Sequence, residues 1–138
     1  MAVDLKSDQS VASQLRSSWF GSVAEIADLD LQRRTWLDKA NRNPHWSYVE
    51  FVCSFPGDDQ LEHARREGWL SKRELGILSE LRRTLVSHTA PEGDDYNHNA
   101  ILGDPAWHAV VAAAEQAKQQ LLAIVHDRVE REILQGIE

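Results

Sequence analysis

Cysteine is nearly absent from this chain, Cys53 being the only one among 138 residues. A single thiol excludes an intrachain disulfide framework and any zinc site of the multi-cysteine kind, and it fits a reducing compartment best. Long apolar runs are missing as well. Nowhere do roughly 18 apolar residues follow one another, so no membrane-spanning helix is expected. The beginning, Met-Ala-Val-Asp-Leu-Lys, has no apolar stretch behind a basic one, so no secretory signal is expected. These absences together predict a soluble, cytoplasmic protein.

The motifs of several catalytic classes are also lacking. No G-x-S-x-G elbow occurs to hold a nucleophilic serine, and Cys53 lies in an apolar, aromatic segment where an inert core thiol is expected rather than an activated thiolate. Neither G-x-G-x-x-G nor G-x-x-x-x-G-K-[ST] is present, so no backbone cradle for phosphates is expected, and no cofactor. An excess of positive charge is missing too. The net charge is -7, which argues against general affinity for nucleic acid or for anionic membrane and favours a basic protein partner. Ala64 and Gly68 have the separation of a helix-turn-helix, and Arg65, Arg66, Lys72, Arg73, Arg82 and Arg83 lie nearby. Asp58, Asp59, Glu62, Glu67, Glu74 and Glu80 cancel that charge, and a recognition helix needs a basic face.

What is present reads as one helical domain spanning residues 1–138. A length of 138 residues suits a single core, and 42% hydrophobic with 27% charged residues is ordinary globular composition. The firmest element is C-terminal. Asp104 is a good N-cap, Pro105 suits the first helical position, and Gly136 marks the end. Between them Trp107, Val110, Val111, Ala114, Ala117, Leu121, Leu122, Val125 and Val129 recur at three- and four-residue spacing, which makes one broad apolar stripe. A helix from Pro105 to Leu134 would be about 45 Å long at ~1.5 Å per residue, more than so small a domain needs. Ile133, Leu134 and Ile137 are therefore candidates for a homodimer contact through that helix.

The spacing also predicts a helix over Lys72–Ser87, where Ser71 and Glu74 form a capping box and Leu75, Leu78, Leu81, Leu85 and Val86 form the buried face. A shorter helix from about Asp59 to Glu67 is stopped by Gly68. Ser22 and Glu25 form another capping box, opening a helix through Ile26, Leu29, Trp36 and Leu37. A first helix lies around Gln9–Ser18, with Val11 and Leu15 facing inward. Asn43-Pro44 reads as the start of a segment ending at Pro56-Gly57. Its residues Trp46, Tyr48, Val49, Phe51, Val52, Cys53 and Phe55 would also suit a strand, but no second strand exists to pair with it. The fold class is therefore all-α, with about five or six helices and a long C-terminal one; residues 44–55 as a strand would make it α+β.

Reactive side chains crowd into residues 88–108. More than half of the net charge falls in residues 88–104, where Glu92, Asp94, Asp95 and Asp104 stand without a single Lys or Arg. This stretch joins the two firmest helices as a loop, and long loops in compact domains are often functional. His88, His98 and His108 with Asp94, Asp95 and Asp104 are residue types that bind transition metals, but ten-residue gaps between histidines fix no ligand geometry. Asp95, Asn97 and Asn99 match the first, third and fifth positions of a calcium loop. Ala100 then stands where that loop needs glycine, and Ala106 where it needs the bidentate glutamate, so no metal site is expected.

Five tryptophans are the other excess. Trp19, Trp36, Trp46, Trp69 and Trp107 fall near element ends, where a buried indole anchors the core and its N–H reaches a loop carbonyl. Trp107 borders the acidic loop and could serve as an interface anchor. The binding residues expected are Asp94, Asp95, Tyr96, His98, Asp104, Trp107 and His108. They would present an acidic and aromatic surface to a basic protein, by the charge complementarity through which immunity proteins and antitoxins cover cationic sites. The alternative is a metal-dependent or acid–base enzyme that gathers His88, His98, His108 and Asp95.

Overall fold

The computed structural model describes residues 5–38, 40 and 47–136, with side chains from Ser10 onward. All the regular structure among them is helical, so residues 48–54 form a helix and not a strand. The described residues form seven α-helices of seven residues or more and one of a single turn. In order they are α1 (Leu5–Ile26), α2 (Leu29–Trp36), α3 (Tyr48–Ser54), α4 (Asp58–Arg66), α5 (Lys72–Ser87), α6 (His98–Leu102), α7 (Pro105–Ile124) and α8 (Arg128–Gln135). None of these helices is long and apolar enough to cross a membrane.

The core is one cluster built on α1, α5 and α7. Phe20, Val23 and Ile26 of α1 meet Leu78, Leu81 and Leu85 of α5 and Val110, Ala114, Ala117 and Leu121 of α7, all buried. Three- and four-residue spacing puts each set on one helical face, and burial of each large side chain contributes about 1.5–3 kcal/mol. On α5 the capping box forms as the sequence predicts, Ser71 Oγ accepting from Glu74 N at 3.1 Å and Glu74 Oε1 from Ser71 N at 2.8 Å. Val86, expected on the buried face, is exposed. α4 ends where Gly68 adopts φ 79°, a left-handed conformation that costs glycine nothing, and Trp69 N then closes back on Ala64 O at 2.8 Å.

Three helix boundaries differ from the sequence reading. α1 is far longer than the expected Gln9–Ser18 and runs through Ser22, whose hydroxyl donates to Ser18 O at 3.2 Å instead of capping a new helix. The break comes at Asp28, whose carboxylate accepts from Leu31 N at 2.9 Å. Gln32 secures this corner: its fully buried amide donates to the Glu25 and Ile26 carbonyls that end α1. In α3, Ser47 is the cap, accepting from Glu50 N. The expected start at Asn43-Pro44 lies outside the described residues, as do Trp46 and Ile137. Cys53 is exposed on α3, not part of the core.

The third difference is at the C-terminus. The long helix is two helices, because Val125 turns extended (φ -87°, ψ 126°) and Asp127 caps α8 by accepting from Glu130 N at 2.9 Å. Arg131 Nη1 donates back to the carbonyls of Leu122 and Val125, which the end of α7 leaves open. A straight helix would carry its last apolar residues past the domain. The bend instead lays α8 beside α1 and buries Leu134 completely within its own chain.

An ion cluster fastens the returning helix. Arg16 of α1 uses all five of its N–H groups: two to Glu74, two to Glu130 and one to the Trp69 carbonyl, at 2.7–2.9 Å. Its guanidinium also lies 5.0 Å from the Phe20 ring centroid. One side chain thus joins α1, the start of α5, and α8.

Candidate functional site

Residues 88–104 are organised, and short-range hydrogen bonds explain how. Pro91–Gly93 makes a single 3₁₀ turn in which Glu92 takes φ 57°, a left-handed conformation unusual for any residue with a β-carbon. Asp94 Oδ1 accepts from Tyr96 N at 3.0 Å, and Asn97 Oδ1 accepts from Ala100 N at 3.2 Å to start α6. The oxygen that a calcium loop would use at Asn97 is therefore a helix cap. α6 plugs the loop into the body through Ile101 and Leu102, both buried.

Beneath the loop lies a cluster of rings. Trp107 is 0% exposed, and its indole N–H donates to Gln32 Oε1 at 2.8 Å. It packs edge-on against Tyr48 and His88, with centroids 5.3 Å away in each case, and tilted against Trp36 at 5.8 Å. A residue so enclosed anchors the core and cannot touch a partner, which removes Trp107 from the expected contact surface. Of the other tryptophans, Trp19 and Trp36 are buried and Trp69 is partly so.

The histidines go to three separate places. His98 Nδ1 bonds Trp36 O at 3.2 Å, and His108 Nε2 bonds Leu102 O. A carbonyl only accepts, so each of these nitrogens carries the proton. His98 Nε2 and Trp36 Nε1 are buried without a partner, on rings 5.4 Å apart. The His88 side chain is enclosed, 1% exposed. Its Nε2 lies 3.0 Å from Asp104 Oδ2 and its Nδ1 2.9 Å from Tyr48 Oη. The neutral ring fits both partners when Nε2–H donates to the carboxylate and the phenol O–H donates to Nδ1. No three of the described His, Cys, Asp and Glu side chains stand together as metal ligands would.

Charge follows this geometry. The His88 hydrogen bond, then the Ala106 N–H, hold the Asp104 carboxyl below its usual range, and Asp104 is at once the N-cap of α7. Burial first, and then the charges of Asp95 and Asp104, push the Tyr48 phenol up. It therefore remains a donor at neutral pH.

The expected binding residues thus divide into two sets. Asp94, Asp95 and Tyr96 are exposed, Tyr96 at 77%, and Glu92 is exposed beside them. None of the three carboxylates has an ion-pair partner among the described residues. Asp104, His98, Trp107 and His108 are the support underneath. Trp36 is a buried anchor as expected, although its N–H reaches no carbonyl, and two further supporting residues have no such sign in the sequence: Tyr48 and Gln32. Tyr48 stood out only as one aromatic among several, and no spacing connects position 48 with 88 or 32 with 107.

No family model, no curated protein and no solved structure matches this chain.

Proposed function

We propose that this protein is a non-enzymatic, cytoplasmic binding module that captures a basic protein through Glu92, Asp94, Asp95 and Tyr96. The observation that carries the reading is the exposed, unpaired state of these side chains on a loop held by its own turns and caps. Like charges gathered on one loop attract a cation-rich surface and speed its approach, while an exposed phenol supplies contact area at little entropic cost. Bracing matters for affinity, because a loop ordered before contact loses less freedom on binding. The exposed, unpaired Cys53 fits a reducing cytoplasm.

The enzyme reading keeps one observation in its favour, the Tyr48–His88–Asp104 chain, since a carboxylate behind an imidazole is a common acid–base arrangement. Enclosure of His88 counts against it, because a substrate would have to reach a ring with 1% of its side chain exposed.

The test places a photo-cross-linking phenylalanine analogue at Tyr96 and identifies the captured protein in cells. A basic protein is expected, and its association rate with purified module should fall on the order of 10-fold or more in Glu92→Gln/Asp94→Asn/Asp95→Asn and in high salt. An adduct indifferent to both changes, or the same adduct from an exposed position on the opposite face, would overturn the reading.

A further inference from the structure

The bend between α7 and α8 is the place where sequence and structure disagree most, and the disagreement is informative. The apolar spacing runs unbroken from Trp107 to Val129, and the connecting residues Val125, His126 and Asp127 include neither proline nor glycine. Nothing in this stretch forbids one straight helix. Two contacts are specific to the bend: Asp127 capping Glu130 N, and Arg131 donating to the carbonyls of Leu122 and Val125. A continuous helix needs neither, because those two carbonyls would then accept from the N–H groups of His126 and Val129.

The remaining contacts of α8 do not depend on the bend. Glu130 binds Arg16, Leu134 is fully buried, and Ile133 Cγ2 lies 3.7 Å from where a β-carbon on Gly21 would be. A second copy of this chain could supply the same helix to the same seat. We infer that α8 exchanges between two copies, with α7 and α8 straightening into one helix and each copy's Glu130 completing the other's Arg16 cluster. The exchanged dimer retains the α8 seat, so the two states differ only at a three-residue hinge and at whatever new surface the straightened hinges share. Val129 identifies that surface. It is 60% exposed in the closed chain although it continues the stripe four residues beyond Val125, and two hinges meeting about a twofold axis would cover both valines.

The experiment uses the full chain with Cys53→Ser, so that no other thiol interferes. Gly21→Cys/Ile133→Cys in one chain should oxidise to a covalently closed monomer, which shows that the pair is within disulfide reach. Chains carrying Gly21→Cys alone and Ile133→Cys alone are then mixed at high concentration, in moderate salt to screen their like net charges, and oxidised. A disulfide-linked heterodimer is expected. Asp127→Ala weakens the bend by about fivefold per hinge, so over two hinges it should raise the dimerisation constant about 25-fold, and Arg131→Ala should act in the same direction. His126→Pro should abolish exchange while leaving the monomer folded, because Val125 already has the extended conformation that a following proline favours. No mixed disulfide under conditions where the single-chain control closes would overturn the inference. So would a mixed disulfide that forms equally well with His126→Pro, or a dimer in solution that gives none.

Discussion

Two buried polar assemblies join distant parts of this chain, and they differ in how completely they are closed to water. The Arg16 cluster is charged and closed: one guanidinium, five N–H groups, two carboxylates and a carbonyl, all satisfied by one another. The Tyr48–His88–Asp104 chain is held by two hydrogen bonds through one imidazole and reaches water at its last member, where Asp104 is partly exposed. Burial alone would raise the Glu74 carboxyl, yet the hydrogen bonds and charge of Arg16, with Ser71, outweigh it and hold the group below its usual range. The first assembly decides whether α1, α5 and α8 stay together. The second decides how the acidic loop is carried.

The largest difference between the two should appear when the cation is removed. Arg16→Met leaves Glu74 and Glu130 buried, close together and without a counter-ion, and breaking a buried ion cluster this way costs about 3–5 kcal/mol. Urea unfolding should show it. Adding Glu74→Gln and Glu130→Gln to Arg16→Met should recover much of the loss, since the cost lies in the uncompensated carboxylates more than in the missing bonds. A loss under about 1 kcal/mol, typical of an exposed ion pair, would make the cluster a surface feature and dissolve the contrast.

How much of this was legible beforehand follows the same divide between local and distant. Ser71 with Glu74, Asp104 with Pro105, and Gly68 act within one turn of the chain, and the structure has them as the spacing predicts. The Ser22/Glu25 pattern failed because the same two residues fit a helix interior, and only burial of Phe20, Val23 and Ile26 on one face decides that α1 continues. The hinge at Val125 was hidden for a related reason. Local propensity favours a straight helix there, while Arg16, more than a hundred residues earlier, draws Glu130 back. The acidic loop was visible from composition, since four acids with no base need no fold to be noticed. Its support was not, because Tyr48, His88 and Asp104 come together only through packing around Trp107.

A smaller effect should follow from cutting the Tyr48–His88–Asp104 chain at its phenol. Tyr48→Phe keeps the ring contacts with Trp36 and Trp107 and removes only the O–H, leaving His88 Nδ1 buried without a donor. A loss of about 1–2 kcal/mol at neutral pH is expected. The variant also has a sign to check in alkali. A phenol raised by burial binds its proton more tightly folded than unfolded, so the wild type loses stability as pH rises above about 10. Tyr48→Phe should lack that component, whereas Arg16→Met should retain it. Parallel alkaline profiles for wild type and Tyr48→Phe would mean that the phenol is not held as the chain requires.

The smallest effect lies in acid, where the two assemblies behave alike. Glu74 and Asp104 both titrate below their ordinary values when folded, so each contributes stability that is complete above about pH 4.5 and disappears as pH falls through its folded value. Glu74→Gln should flatten the acid limb strongly, because its carboxylate is enclosed with Arg16. Asp104→Asn should flatten it only slightly, since its carboxylate is partly open to water and an asparagine still caps α7. Melting temperatures of the two variants between pH 2 and pH 6 give the comparison directly. If Asp104→Asn flattens the limb as much as Glu74→Gln, the bond to His88 is as isolated from solvent as the Arg16 cluster, and the loop's support would have to count as part of the core.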